Sequence, residues 1–190
     1  VEECEMICLT VPDGLIGEIA DEIINMCIKE GIDIKDKIFC HMSGALSSEV
    51  FSGITANKIS SYSIHPLLAV NDKLKSYKEF SKALFTIEGE EKNIEKVKSV
   101  FEKMGNKVIT IRAKDKAGYH AAAVLGSNLM LGLFETVIEE MVNAGFERKM
   151  AEMVMVPFVC NNIEHLKENS MEDALTGPVV RGDVKTVKMH

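Results

Sequence analysis

Two rhythms of apolar and polar positions alternate from residue 1 to Arg112. Short apolar runs end in polar or turn residues: "CEMICLTVPD", "KIFCHMSG", "ISSYSIHPL", "ALFTIEGE" and "NKVITIR". Runs of this length, closed by Pro, Asp or Gly, predict five strands. Between them "GLIGEIADEIINMCIKEG" and "EKNIEKVKSVFEKMG" carry apolar residues at helical spacing, with Gly31 and Gly105 as stops. "ALSSEVFSGI" predicts a short helix or turn. Strands alternating with helices predict an α/β layer on a mainly parallel sheet. After Arg112 the rhythm is helical alone, from Asp115 to Ala144 and from Arg148 to about Glu168. The expected division is therefore 1–113, α/β, and 114–190, all-α.

Composition narrows the classes. With 46% hydrophobic and 27% charged residues in 190 positions, the chain is that of a soluble globular protein able to bury a core. A net charge of −7 without a basic run argues against nucleic acid as partner. The five cysteines form no C-x-x-C and sit largely in apolar runs, as free thiols of a reducing cytoplasm do. The most apolar window, Ala121 to Ile138, is interrupted by Ser127, Asn128, Glu135 and Thr136, so it is expected to be a buried helix and not a membrane span. No paired-histidine spacing points to a metal, and no G-x-S-x-G to a serine hydrolase. Val1 at the start and "DVKTVKMH" at the end suggest a fragment of a longer protein.

Polar residues collect where the strands end: Pro12-Asp13, His41-Ser43-Gly44 and His65-Pro66. In open α/β sheets ligands bind at that edge. Taken alone, Asp13 is expected to be a helix cap. The stretch "KDKAGYHAAAVLGSNLMLGLFE" opens the helical half with chemistry of its own. At about 100° per residue, Lys116, His120 and Ser127 share one stripe, with Asn128 on its flank. A His can move protons near neutral pH, and a Lys can polarise an oxygen. A plainer reading also stands: Tyr119-His120 packed at a seam, and Ser127 bonded back to a carbonyl one turn earlier. Further on, Thr176-Gly177-Pro178 predicts a rigid turn, and Arg181 and Asp183 a local pair or cap.

Together "LTVPD", "HMSGALSSEVF", "SIHPLLAV", "KAGYHAAAVLGSN" and "ALTGPVVRGD" resemble a family of bacterial two-domain proteins. Its members join a Rossmann-like N-terminal domain to a helical C-terminal domain of unknown function. They are usually described as NADP-dependent oxidoreductases, related in architecture to 6-phosphogluconate dehydrogenase, 3-hydroxyisobutyrate dehydrogenase and pyrroline-5-carboxylate reductase. The resemblance implies a partial Rossmann-like sheet in 1–113 and a 6-phosphogluconate-dehydrogenase-like helical domain in 114–190. It implies NADP or NAD as cofactor and a small polar substrate at the interdomain cleft. Its polar signature falls on His41, Ser43, Gly44, His65, Pro66, Lys116, Tyr119, His120, Asn128, Arg181 and Asp183. Within it, His120, Lys116 and Asn128 would be catalytic. His41, Ser43, Gly44, His65, Tyr119, Ser127 and Arg181 would face substrate, and Thr10, Val11 and Pro12 the cofactor. Related dehydrogenases keep a Lys and an Asn one turn apart on this helix, whereas Lys116 and Asn128 are spaced differently. The G-x-G-x-x-G turn is absent from the sequence. The resemblance places Val1 near the fourth strand of a dinucleotide domain, so this chain alone is expected to hold NADP weakly. The apolar stretches "VLGSNLMLGLF" and "MVMVPFV" exceed what a small bundle hides and imply a homodimer. The alternative in a different class is a non-catalytic ligand sensor or scaffold that kept the fold.

Overall fold

The computed structural model describes residues 1–53, 59–72 and 74–190. Five strands form one sheet in sequence order: β1 (Met6–Leu9), β2 (Ile38–His41), β3 (Ser60–Leu67), β4 (Leu84–Gly89) and β5 (Lys107–Thr110). All neighbours pair parallel except β3 and β4, which run antiparallel. The expectation of a mainly parallel sheet thus holds with one reversal. The reason lies between β3 and β4, where the longest helical piece among the described residues is the 3-10 turn Ser76–Lys82. A parallel return needs a longer crossover, usually a full helix. "ALSSEVFSGI" forms a 3-10 turn at Ser48–Phe51; its final Ile54 lies outside the described residues.

Helix α1 (Ile16–Glu30) buries Ile16, Ala20, Ile24 and Cys27, a stripe at helical spacing, and stops at Gly31, which is left-handed at φ 71°. That stripe packs with Leu9, Phe39 and Phe51 on one face of the sheet. Helix α2 (Ile94–Lys103) buries Val97 and Phe101 with Ile38, Cys40, Tyr62, Ile64, Phe85 and Ile87 on the other face. Strand alternation does the sorting. Tyr62 and Ile64 of β3 face α2, while Ser61, Ser63 and His65 are turned to the α1 side. A buried strand therefore carries a polar row on one face, and all three serines at 60, 61 and 63 are buried.

Helix α3 (Lys116–Val124) is followed by a five-residue π-helical segment, Leu125–Leu129. Then come α4 (Met130–Asn143), α5 (Arg148–His165) and the short helices α6 (Met171–Ala174), α7 (Gly177–Val180) and α8 (Val184–Met189). Two compact units result, Val1–Ser127 and Asn128–His190. The boundary falls later than residue 113 because α3 is tied to the sheet by the contacts described below. In the second unit α4 and α5 pack together, and Arg148 donates from one nitrogen to both Glu135 oxygens at 2.6 and 2.7 Å. Asp183 caps α8, accepting from the Thr186 N–H at 3.1 Å and from its hydroxyl at 2.7 Å.

Candidate functional site

The polar row of β3, the exit of β2 and the first two turns of α3 meet at one place in the first unit. Lys116, at the start of α3, is buried to 2% exposure. Its ammonium donates to the Ser63 hydroxyl at 2.5 Å and to the Ser43 carbonyl at 3.2 Å. Ser63 donates in turn to the same carbonyl at 3.2 Å. Burial lowers the Lys116 pKa, and the charges of Glu88 and Asp13 oppose that shift. Hydrogen bonds to a carbonyl and a hydroxyl suit an ammonium with no carboxylate in contact.

The segment after β2 is fastened from three sides. Ser43 donates to Asp13 at 2.7 Å, and its oxygen accepts the N–H groups of Ala45 and Leu46 at 3.2 and 3.0 Å. The Ser43 N–H donates to His41 Nδ1 at 3.2 Å, which leaves the His41 proton on Nε2, pointed at the Ser47 carbonyl at 3.1 Å. Glu88, buried on β4, accepts the Ser48 N–H at 2.7 Å and its hydroxyl at 2.8 Å. Both ring nitrogens of His41 are thus engaged. Burial pushes its pKa below the usual imidazole value, the Ser47 carbonyl works against that, and Lys116 adds to the lowering. His41 holds the wall of the site in place. Asp13 stands at the start of a 3-10 turn, and its carboxylate ties the exit of β1 to Ser43 without making a side-chain cap.

The open edge belongs to His65, Tyr119 and His120. The Tyr119 hydroxyl lies 2.8 Å from His65 Nδ1. The His65 and His120 rings stand edge to face, with centroids 6.2 Å apart. Gly44 sits against both: a Cβ there would lie 2.6 Å from His120 Nδ1 and 2.8 Å from His65 Nε2. Burial, then the charges of Lys116 and His120, push the His65 pKa down to about 4, with Asp13 opposing. An unfolded His titrates near 6.5. The folded value is the lower one, so the unfolded chain binds the extra proton first as pH falls. The stability this contributes is complete above about pH 6.5 and is lost as pH falls towards about 4. Urea unfolding at pH 7 and pH 4 should show this decline. His65→Gln should flatten it in part; an equal slope in the variant would remove His65 as its source.

The remaining expected site residues lie in other elements. Ser127 donates to the Ala123 carbonyl at 2.6 Å, the local bond foreseen as its plainer role. Asn128 and Arg181 are exposed residues of the second unit. Thr10, Val11 and Pro12 join β1 to the 3-10 turn Asp13–Leu15, with Thr10 and Pro12 exposed at the strand's C-terminal end. Sequence reasoning did not single out Ser63 or Glu88. Ser63 was signalled only by alternation with His65 on a buried strand. Glu88 was signalled only as an acid inside the apolar run "ALFTIEGE".

The profile of a family described as a domain of unknown function, DUF2520, matches residues 83–190. Among solved structures, protein TM1727 from Thermotoga maritima is 28% identical with a TM-score of 0.80, over 100% of this chain and 69% of that one. A candidate NADP oxidoreductase from Bacteroides fragilis is 18% identical with a TM-score of 0.68, over 98% of this chain and 67% of that one. A pyrroline carboxylate reductase from Plasmodium falciparum, solved with NADP bound, is 13% identical with a TM-score of 0.67, over 99% and 70%. The last two likenesses are of fold alone. No curated protein matches the chain. The fold is therefore α/β and shared with Rossmann-like oxidoreductases.

Proposed function

The chain belongs to the DUF2520 family, and on that premise we propose that it is an NAD(P)-dependent oxidoreductase acting on a small polar substrate. The observation that carries the reading is the cluster of Lys116, His65, Tyr119 and His120 at the C-terminal ends of β2 and β3. That is the sheet edge where α/β proteins take their ligands. The relatives described as NADP oxidoreductases and reductases supply the cofactor class. A nicotinamide, when bound, supplies or accepts the hydride.

The side chains would supply the rest. His120 would exchange a proton with the substrate oxygen or nitrogen through Nε2. Lys116 would hold Ser63 and Ser43 in register and contribute a fixed positive field. Thr10 to Pro12 would line the nicotinamide side. The second unit would pair with a second copy, and the protein would work in the cytoplasm. The helical run Ala113–Asn143 is long and apolar enough to cross a membrane. Its first turns, however, are committed to the sheet through Lys116 and Tyr119.

NADPH consumption by the natural full-length protein with aldehydes, 2-oxo acids and cyclic imines tests the reading. Turnover is expected with one of these classes, and His120→Gln should lower it about 10²-fold or more. Tight dinucleotide binding without turnover on any class would favour the non-catalytic sensor instead.

A further inference from the structure

Gly44 raises a question that its backbone does not answer. It is absent from the glycines with positive φ, so its conformation is open to any residue. What needs glycine is the space beside it. A single methyl group at this position would sit between His120 Nδ1 and His65 Nε2, at 2.6 and 2.8 Å, closer than real Cβ contacts come. The two ring nitrogens are therefore turned towards one point, kept clear by a missing side chain.

His120 Nδ1 is buried there and has no hydrogen-bond partner. A buried, unpaired N–H would lose its full hydration, so the proton of neutral His120 belongs on Nε2, the nitrogen open to a ligand. On the far side, His65 Nδ1 lies 2.8 Å from the Tyr119 hydroxyl. His65 is neutral at neutral pH, its pKa held near 4. If Tyr119 donates to Nδ1, the His65 proton lies on Nε2, directed into the gap beside Gly44. Every donor then points the same way: Tyr119 to His65, His65 towards His120, His120 outward.

We propose that Tyr119, His65 and His120 form a proton relay, with Gly44 as the gap through which the two imidazoles communicate. When His120 gives its Nε2 proton to a ligand atom, it takes a proton on Nδ1 from His65 Nε2. His65 takes one on Nδ1 from the Tyr119 hydroxyl, and half-buried Tyr119 is refilled from solvent. Each imidazole gains one proton and loses one, and changes tautomer. A small rotation of the His120 ring closes the link. The relay deepens the reading of this site as an oxidoreductase centre and rests on it only for the proton's destination.

The relay is tested without cofactor or substrate, by nitrogen-15 NMR of the imidazole rings in the chain itself. At pH 7 both His65 and His120 should be the Nε2–H tautomer. The charged groups acting on His65 are Lys116, His120 and Asp13. Removing one of the two lowering charges by His120→Gln should raise the His65 pKa above about 4. Tyr119→Phe should shift the His65 Nδ1 resonance to that of an unbonded nitrogen while leaving the fold intact. Gly44→Ala should change both rings' resonances at once. A His65 or His120 ring found as the Nδ1–H tautomer, or a His65 resonance unmoved in Tyr119→Phe, would overturn the relay. Failure of NADPH turnover with these signatures present would remove the redox reading and leave the relay standing.

Discussion

Lys116→Ala is expected to destabilise the first unit by about 3–5 kcal/mol, the combined cost of a buried oxygen left without its donor and of the cavity where the side chain was. The ammonium supplies donors to Ser63 and to the Ser43 carbonyl, and both lie out of water. Losing it strands the Ser63 oxygen, leaves the Ser43 carbonyl only its bond from Ser63, and opens a cavity. One effect runs the other way: burial of the charge is itself unfavourable, as the lowered pKa shows. Lys116→Met separates the two. It keeps the volume and relieves the charge, yet still strands the Ser63 oxygen, so the expected loss is about 1–3 kcal/mol. Urea unfolding of both variants at pH 7 provides the measurement. A Met variant as stable as the parent would mean that the ammonium's hydrogen bonds give no net stability. Lys116 would then be retained for ligand chemistry alone.

The second unit should dimerise, and Val156→Glu together with Phe158→Glu should separate the copies. Between α4 and α5 lies an apolar cavity of about 240 Å³, lined by Leu133, Phe134 and Val137 on one side and Val156, Val159 and Cys160 on the other. Around it Leu131, Leu133, Met153 and Phe158 are each at least 60% exposed, while Ala151 is the one buried residue of α5. Apolar surface on that scale is seldom left to water. Truncated interface hot spots cost about 2 kcal/mol or more each, and a buried charge exceeds that. The double variant should therefore weaken association by on the order of 10²-fold or more. Sedimentation of the natural protein as a monomer at micromolar concentration would sink the dimer. Flotation with lipid vesicles would point to a bilayer as the covering partner.

Much of the architecture was legible in the sequence because it rests on local signals. All five strands and both α/β helices fall where period and stop residues place them, down to Gly31. The reversal at β4 was not legible. It depends on the connection between β3 and β4, whose weak helical pattern in the sequence is indistinguishable from a short crossover. In the site, His41, Ser43, Gly44, His65, Lys116, Tyr119 and His120 come together as their positions at strand ends and a helix start suggest. What the sequence could not sort is which of them face outward. His41 looks as reactive as His65 until its two ring nitrogens are seen to be occupied. Ser63 and Glu88 stayed hidden because a polar residue inside a strand is visible only once register gives it a neighbour; Ser63 and Glu88 are in fact partners across β3 and β4.

The three fastenings after β2 separate two kinds of evolutionary freedom. Asp13, His41 and Glu88 each clasp a different link of residues 43–48, so a change at any one leaves a buried donor or acceptor bare. Tyr119 and His120 carry no such obligation to the backbone. Drift in chemistry can therefore proceed at Tyr119 and His120 while Lys116 and the wall opposite stay fixed. Within a lineage that changes its substrate, the clasping residues should be the inheritance and the helix face the variable.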